Sequence, residues 1–183
     1  MIKIAVIIGS TRPQRRGEAV GKWVFECAKK RTDAEFELID LKEINLPLLD
    51  EPQPASTGVY EKEHTKIWSK KISAFDAFIF VTPEYNRNTS PTLKNSLDFL
   101  FKEWADKACG FVSYGGDGGV RAVEHLRTVV GALQMADVSK SLALSLRNDW
   151  DGPNFKPQPF QEKSLNGVID QVVHWGTALR SSL

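Results

Sequence analysis

What most constrains this chain is the alternation of five short apolar runs with longer amphipathic stretches. The runs are Ile4 to Ile8, Phe36 to Leu41, Phe78 to Val81, Cys109 to Tyr114 and Val138 to Leu146. The first and third are nearly unbroken Ile, Val and Phe, the pattern of strands buried on both faces. The second alternates more and belongs nearer a sheet edge. Between and after the runs, apolar residues recur at helical spacing. One set is Val20, Trp23, Val24, Cys27 and Ala28, and a second is Tyr60, His64, Ile67, Trp68 and Ile72. Leu93, Leu97, Leu100, Phe101 and Trp104 form a third, and Val120, Val123, Leu126, Val130 and Leu133 a fourth. Leu165, Val168, Ile169, Val172, Trp175 and Leu179 close the series. The chain reads as five successive strand–helix units, and such alternation builds a parallel sheet wrapped by helices.

Right-handed crossovers leave few ways to order these strands. The expected architecture is an α/β, flavodoxin-like three-layer sandwich: a five-stranded parallel sheet of order 2-1-3-4-5 with helices on both faces. The 183 residues, 42% of them hydrophobic, suffice for one domain spanning 1–183. No internal repeat or linker divides it. The Pro-rich stretches Pro47 to Pro54 and Pro153 to Pro159 read as surface loops.

Lys and Arg number 24 against 23 Asp and Glu, a formal charge of +1. No global field calls for nucleic acid or a membrane surface as partner. Cys27 and Cys109 sit inside apolar segments, which reads as buried thiols in a reducing compartment rather than a disulfide framework. No basic region precedes the apolar start and no small-residue cleavage site follows it, so a cytoplasmic location is expected.

In open α/β sheets, ligands bind beyond the carboxyl ends of the strands where the strand order reverses. Here that means the loops after the first and third strands, with the fourth adjoining. After the first comes Gly9-Ser10-Thr11-Arg12-Pro13-Gln14-Arg15-Arg16-Gly17. Gly9 permits a tight turn, Ser10 and Thr11 bring hydroxyls, and the following helix offers free N–H groups to an anion. The loop lacks the second glycine of a dinucleotide fingerprint and the Gly-Lys-Ser/Thr of a P-loop. It suits a terminal monophosphate, beside which Arg12, Arg15 and Arg16 place three positive charges. A phosphomonoester carries about two negative charges, so one arginine is surplus. The alternative is a polar turn whose arginines face solvent.

After the third strand, Pro83-Glu84-Tyr85-Asn86 precedes Ser90-Pro91, an N-cap and a first-turn proline that mark a helix start. Backbone polar groups, the Tyr85 face and the Asn86 amide suit a flat heteroaromatic ring. The alternative is a capped turn with Tyr85 packed on the next helix. After the fourth strand, Ser113-Tyr114-Gly115-Gly116-Asp117-Gly118-Gly119 allows close backbone approach to a ligand. It serves equally as a helix cap. The placement of all three loops at adjacent strand ends favours a shared ligand.

These motifs resemble the NADPH-dependent FMN reductase family, which includes chromate, quinone and azo reductases. Gly9 to Pro13 looks like its phosphate loop, and Pro83 to Asn86 with Ser90-Pro91 and Leu93-Lys94-Asn95 like its most characteristic motif. Ser113 to Gly116 looks like its third contact. The similarity spans roughly residues 2 to 145. The resemblance implies that Ser10, Arg12, Arg15 and Gly17, with Gly9 and Arg16 in the same loop, hold the phosphate of FMN. It places the ring and ribityl chain against Pro83, Glu84, Tyr85 and Asn86, with Ser113, Tyr114, Gly115 and Gly116 closing over them. Many relatives carry Ser-Asn or a hydroxyl where this chain has Arg15-Arg16.

The expected reaction moves hydride from NADPH or NADH through bound FMN to a small acceptor: a quinone, azo compound, chromate or flavin. The flavin carries the chemistry, so no catalytic side chain and no metal is expected. His64, His125 and His174 read as structural or solvated, and a surplus Arg15 or Arg16 is expected to favour NADPH. Trp68, Trp104 and Trp175 are expected mostly in the core. Phe99, Phe101 and Trp104 lie where relatives dimerise, which suggests a homodimer or homotetramer. The rivals are a flavodoxin-type single-electron carrier and a flavin-free α/β protein. Carriers are usually strongly acidic, unlike this chain.

Overall fold

A computed structural model describes residues 1–181. Five parallel strands form one sheet in the order β2-β1-β3-β4-β5. They are β1 (Ile2–Ile8), β2 (Ala34–Asp40), β3 (Ala77–Pro83), β4 (Ala108–Gly115) and β5 (Ala136–Ser145). The alternating β2 is indeed an edge strand. The principal helices are α1 (Gly17–Ala28), α3 (Glu63–Ser73), α4 (Pro91–Asp98), α5 (Val120–Ala132) and α6 (Gln161–Arg180), with a single turn, α2 (Leu41–Ile44), after β2.

Successive strand residues point to opposite faces, and both faces are covered. Ile4, Val6, Ile79, Val81 and Val112 pack with Val20, Val24, Leu165 and Val168 of α1 and α6. Ile7, Phe78, Phe80 and Phe111 pack on the other side with Trp68, Leu93, Leu97 and Leu126 of α3, α4 and α5. Burial on both sides is why the central strands are continuously apolar. Among the described residues, no helix is long and apolar enough to cross a membrane. Both cysteines are buried and free.

Four expectations need correction. The third helical set extends only to Asp98, and Leu100, Phe101 and Trp104 continue in turns. Trp104 is buried and donates its indole N–H to the Leu97 carbonyl at 3.2 Å. Phe99 and Trp104 are therefore core residues, fully covered within the subunit, and offer no surface to a second copy. Ile67 and Trp175, assigned to buried helix faces, are 62% and 50% exposed. The stretch after β5 contains a small hairpin, β6 (Trp150–Asp151) and β7 (Asn154–Phe155), which the sequence showed only as a loop.

Candidate functional site

The loops after β1, β3 and β4 are tied to one another by hydrogen bonds at the switch point. Gly9 N–H donates to the Val81 carbonyl at 2.8 Å, and the Ser90 hydroxyl donates to the Gly9 carbonyl while accepting from Leu93 N–H at 3.1 Å. One serine thus caps α4 and fixes the first loop. Glu84 N–H donates to the Tyr114 carbonyl at 3.1 Å. The nearly buried Glu84 carboxylate accepts from Arg121 Nη2 at 2.5 Å, Arg121 Nε at 2.7 Å and the Arg121 backbone N–H at 3.2 Å. Glu84 therefore brackets the second loop to the start of α5, a cross-link invisible in the local motif.

In the second loop, Tyr85 and Asn88 exchange backbone hydrogen bonds of 2.8 and 3.0 Å. Asn86 and Arg87 between them have φ of 50° and 70°. Two left-handed central residues are the requirement of a tight type I′ turn, which asparagine tolerates better than most residues. The turn is further fastened by the Thr82–Thr89 hydroxyl contact of 2.7 Å. In the third loop the buried Ser113 hydroxyl donates to the Gly118 carbonyl at 2.7 Å. Ser113 thereby shapes the glycine turn from beneath. A Cβ at Gly116 would meet nothing within 4 Å, so this backbone borders open space.

In the first loop, Ser10 is fully buried and accepts a 3.1 Å hydrogen bond from the Tyr114 hydroxyl. Burial pushes the Tyr114 phenol up to about 12, which keeps it a donor. Gly17 permits this contact, because a Cβ there would stand 2.3 Å from Ser10 Oγ and 2.4 Å from the Tyr114 hydroxyl. The three arginines differ sharply. Arg15 is bound to both Asp40 oxygens and to the Ser10 carbonyl, so it is not surplus. The Arg12 guanidinium stands 5.9 Å from the centre of the Tyr85 ring, and that of Arg16 stands 5.5 Å over Trp150. Neither has a carboxylate partner recorded among the described residues.

Two adjoining clefts result. One, of about 350 Å³, is lined by Arg12, Arg15, Arg16, Pro83, Glu84, Tyr85, Tyr114, Gly115, Gly116 and Leu146. The other, of about 660 Å³, shares Arg12 and Tyr85 and extends past Asn86 and Lys94 to His125 and Val129 of α5. His125, read from the sequence only as structural or solvated, lines this cleft. A third cleft, at the β5 edge near Ser141 and Gln158, has no part in this arrangement.

The donor set suits a phosphate-bearing aromatic ligand. Ser90 and Glu84 supply side-chain acceptors to α4 and α5, whereas Arg16, the residue before α1, gives that helix no side-chain cap, leaving its first N–H groups available. Two buried donors near this loop, Arg15 Nε and Trp150 Nε1, lack an acceptor among the described residues. Buried donors are rarely left so.

A doubly wound parallel sheet of order β2-β1-β3-β4-β5, with three loops meeting at its switch point, defines the class, a flavodoxin-like α/β protein. The chain belongs to the NADPH-dependent FMN reductase family, which it matches over residues 2–149. It is 39% identical over 175 residues to an NAD(P)H-dependent FMN reductase of Schizosaccharomyces pombe, covering 94% of this chain and 81% of that protein. It is 33% identical over 145 residues to an NAD(P)H:quinone oxidoreductase of Solanum tuberosum, covering 76% and 73% of the two chains. Among solved structures, FerB, a flavoenzyme NAD(P)H:acceptor oxidoreductase of Paracoccus denitrificans, shares the fold. The TM-score is 0.75 at 21% identity, with 97% of this chain and 98% of that one covered.

Proposed function

We propose that residues 1–183 form one FMN-binding oxidoreductase domain that passes reducing equivalents from NADPH or NADH to a quinone, or to a comparable azo, chromate or flavin acceptor. The observation that carries this reading is the meeting of three loops around two clefts that share Arg12 and Tyr85. Family membership supports it. When bound, FMN supplies the exchange of a hydride equivalent with nicotinamide and acceptor.

The chain's own residues supply binding and electrostatics. The start of α1 would hold the phosphate, with Arg12 and Arg16 providing charge and Arg15 its unmet Nε. Gly9, Ser10 and Gly17 would shape that loop from within, since Gly9 N–H is spent on Val81, Ser10 is fully buried and Gly17 leaves room for the Ser10–Tyr114 contact. Pro83, Tyr85 and Asn86 would bear on the ring and ribityl chain, opposite Tyr114, Gly115 and Gly116. Glu84 and Ser113 would act by holding the loops, since their polar atoms are engaged within the protein. Backbone N–H groups around Asn86, Gly115 and Gly116 would stabilise negative charge on the bound ring. No side-chain nucleophile or metal enters.

Pro91 and His125, exposed where they line the larger cleft, support a homodimer or homotetramer in which a second copy completes the pocket. The buried, unpaired cysteines support a cytoplasmic setting. The deciding experiment is a flavin absorbance spectrum of the purified protein, followed by NADPH oxidation with a quinone and no partner reductase. Bound FMN with turnover is expected. Failure of excess FMN to associate overturns the assignment, and bound FMN without turnover indicates an electron carrier. A monomeric mass by light scattering, with activity intact, overturns the oligomer.

A further inference from the structure

The β6–β7 hairpin lies beyond the span matched to the family, yet it packs against the loop after β1. Trp150 makes the connection. Its ring lies 6.1 Å from that of Tyr114, whose hydroxyl reaches Ser10. The Arg16 guanidinium stands 5.5 Å over the indole, and Arg16 Nη2 is 3.5 Å from the Gly152 carbonyl. Phe155 holds the hairpin in place, 4.9 Å from Trp150 on one side and 5.6 Å from Trp23 of α1 on the other. Trp150 is 8% exposed, and its indole N–H has no acceptor among the described residues.

We infer that this hairpin is the outer wall of the phosphate site, with Trp150 the positioning residue that holds Arg16 toward a phosphomonoester. The inference rests on the FMN assignment above and extends it to an element that none of the three loops contains. Its physical basis is the division of labour among the arginines. Arg15 is neutralised by Asp40, so the dianionic end of the cofactor depends on Arg12 and Arg16. An arginine on a loop loses several rotors when it is fixed by a ligand. Stacking Arg16 on a rigid indole, which is itself pinned by Tyr114 and Phe155, removes much of that cost before binding.

The test compares FMN with riboflavin, which has the same ring and no phosphate. Dissociation constants are measured by flavin fluorescence for the wild-type protein, Trp150→Leu, Trp150→Phe, Arg16→Ala and the Trp150→Leu, Arg16→Ala pair. Trp150→Leu is expected to weaken FMN binding about tenfold and to leave riboflavin binding unchanged. Trp150→Phe, which keeps an aromatic face, loses less. Arg16→Ala adds little once Trp150→Leu is present, because the two act as a unit. A parallel loss of FMN and riboflavin in both Trp150 variants overturns the inference in favour of a packing role, as does an Arg16 effect independent of Trp150. Unchanged FMN affinity in the Trp150 variants overturns it while leaving the flavin assignment intact. A wild-type protein that binds neither flavin overturns both.

Discussion

Arg15 and Asp40 face each other through paired guanidinium–carboxylate hydrogen bonds, the Nη1–Oδ1 bond measuring 2.6 Å, with side chains 5% and 13% exposed. The pair joins the end of β2 to the loop after β1. A charge this enclosed acts as a brace, and removing one partner strands the other.

Asp40→Ala is therefore expected to destabilise the fold by about 3 kcal/mol, measured by urea unfolding. Arg15→Ala should leave the NADPH-to-NADH preference in kcat/KM unchanged. A tenfold shift in that ratio would instead give Arg15 the role of reading the additional phosphate.

Glu84 has a cofactor consequence without needing to touch the cofactor. Glu84→Ala removes the acceptor for three Arg121 donors and releases the second loop from α5, so FMN affinity should fall about tenfold, with a stability loss of about 2 kcal/mol. Glu84→Gln retains one acceptor oxygen and should recover part of the affinity. Equal FMN binding in wild type and Glu84→Ala, measured by fluorescence titration, would refute the bracket.

At Gly17 the space is already claimed. Gly17→Ala forces its methyl against Ser10 Oγ and the Tyr114 hydroxyl, and overpacking of this kind costs about 1 to 3 kcal/mol. Adding Ser10→Ala and Tyr114→Phe should restore much of the melting temperature but not the FMN affinity, because those changes also remove the hydrogen bond that joins the first loop to the third. Recovery of both quantities would show that the hydroxyls are dispensable for binding.

A pH effect is expected at the opposite end of the sheet. Lys107 lies 5.6 Å from the centre of the Phe78 ring, and its Nζ is 3.4 Å from the Ile72 carbonyl. Burial lowers its pKa from 10.5 to about 8, against the opposing attraction of Asp76 and Glu103. Between those values the unfolded chain binds a proton that the folded chain has released, so stability rises with pH by about 3 kcal/mol across the window. Below it, lysine is charged in both states and the burial penalty is constant. Lys107→Met should remove this rise, and urea melts on either side of the window would detect its persistence.

The central strands were legible because double-sided burial writes itself as unbroken apolar sequence, as in Phe78 to Val81. The three loops were legible because glycine, proline and capping serine act locally. Trp104 misled because a buried residue in a turn can keep helical spacing without a helix. Ile67 and Trp175 misled because an apolar stripe can be wider than the face it buries. Arg15 and Asp40, like Glu84 and Arg121, are pairings across many residues that only the folded register brings together. The two-residue strands of the hairpin are too short to carry any periodicity.

The placement of the indoles gives this molecule two separable optical reporters. Trp68 and Trp104, 6.2 Å apart, sit in the layer behind the sheet, whereas Trp150 and the nearby Trp23 share the other layer with Tyr114. Emission from a chain keeping only the first pair would follow unfolding of the interior. A chain keeping only Trp150 would report quenching by a yellow chromophore beside Arg16, allowing loading and collapse to be timed independently in one preparation.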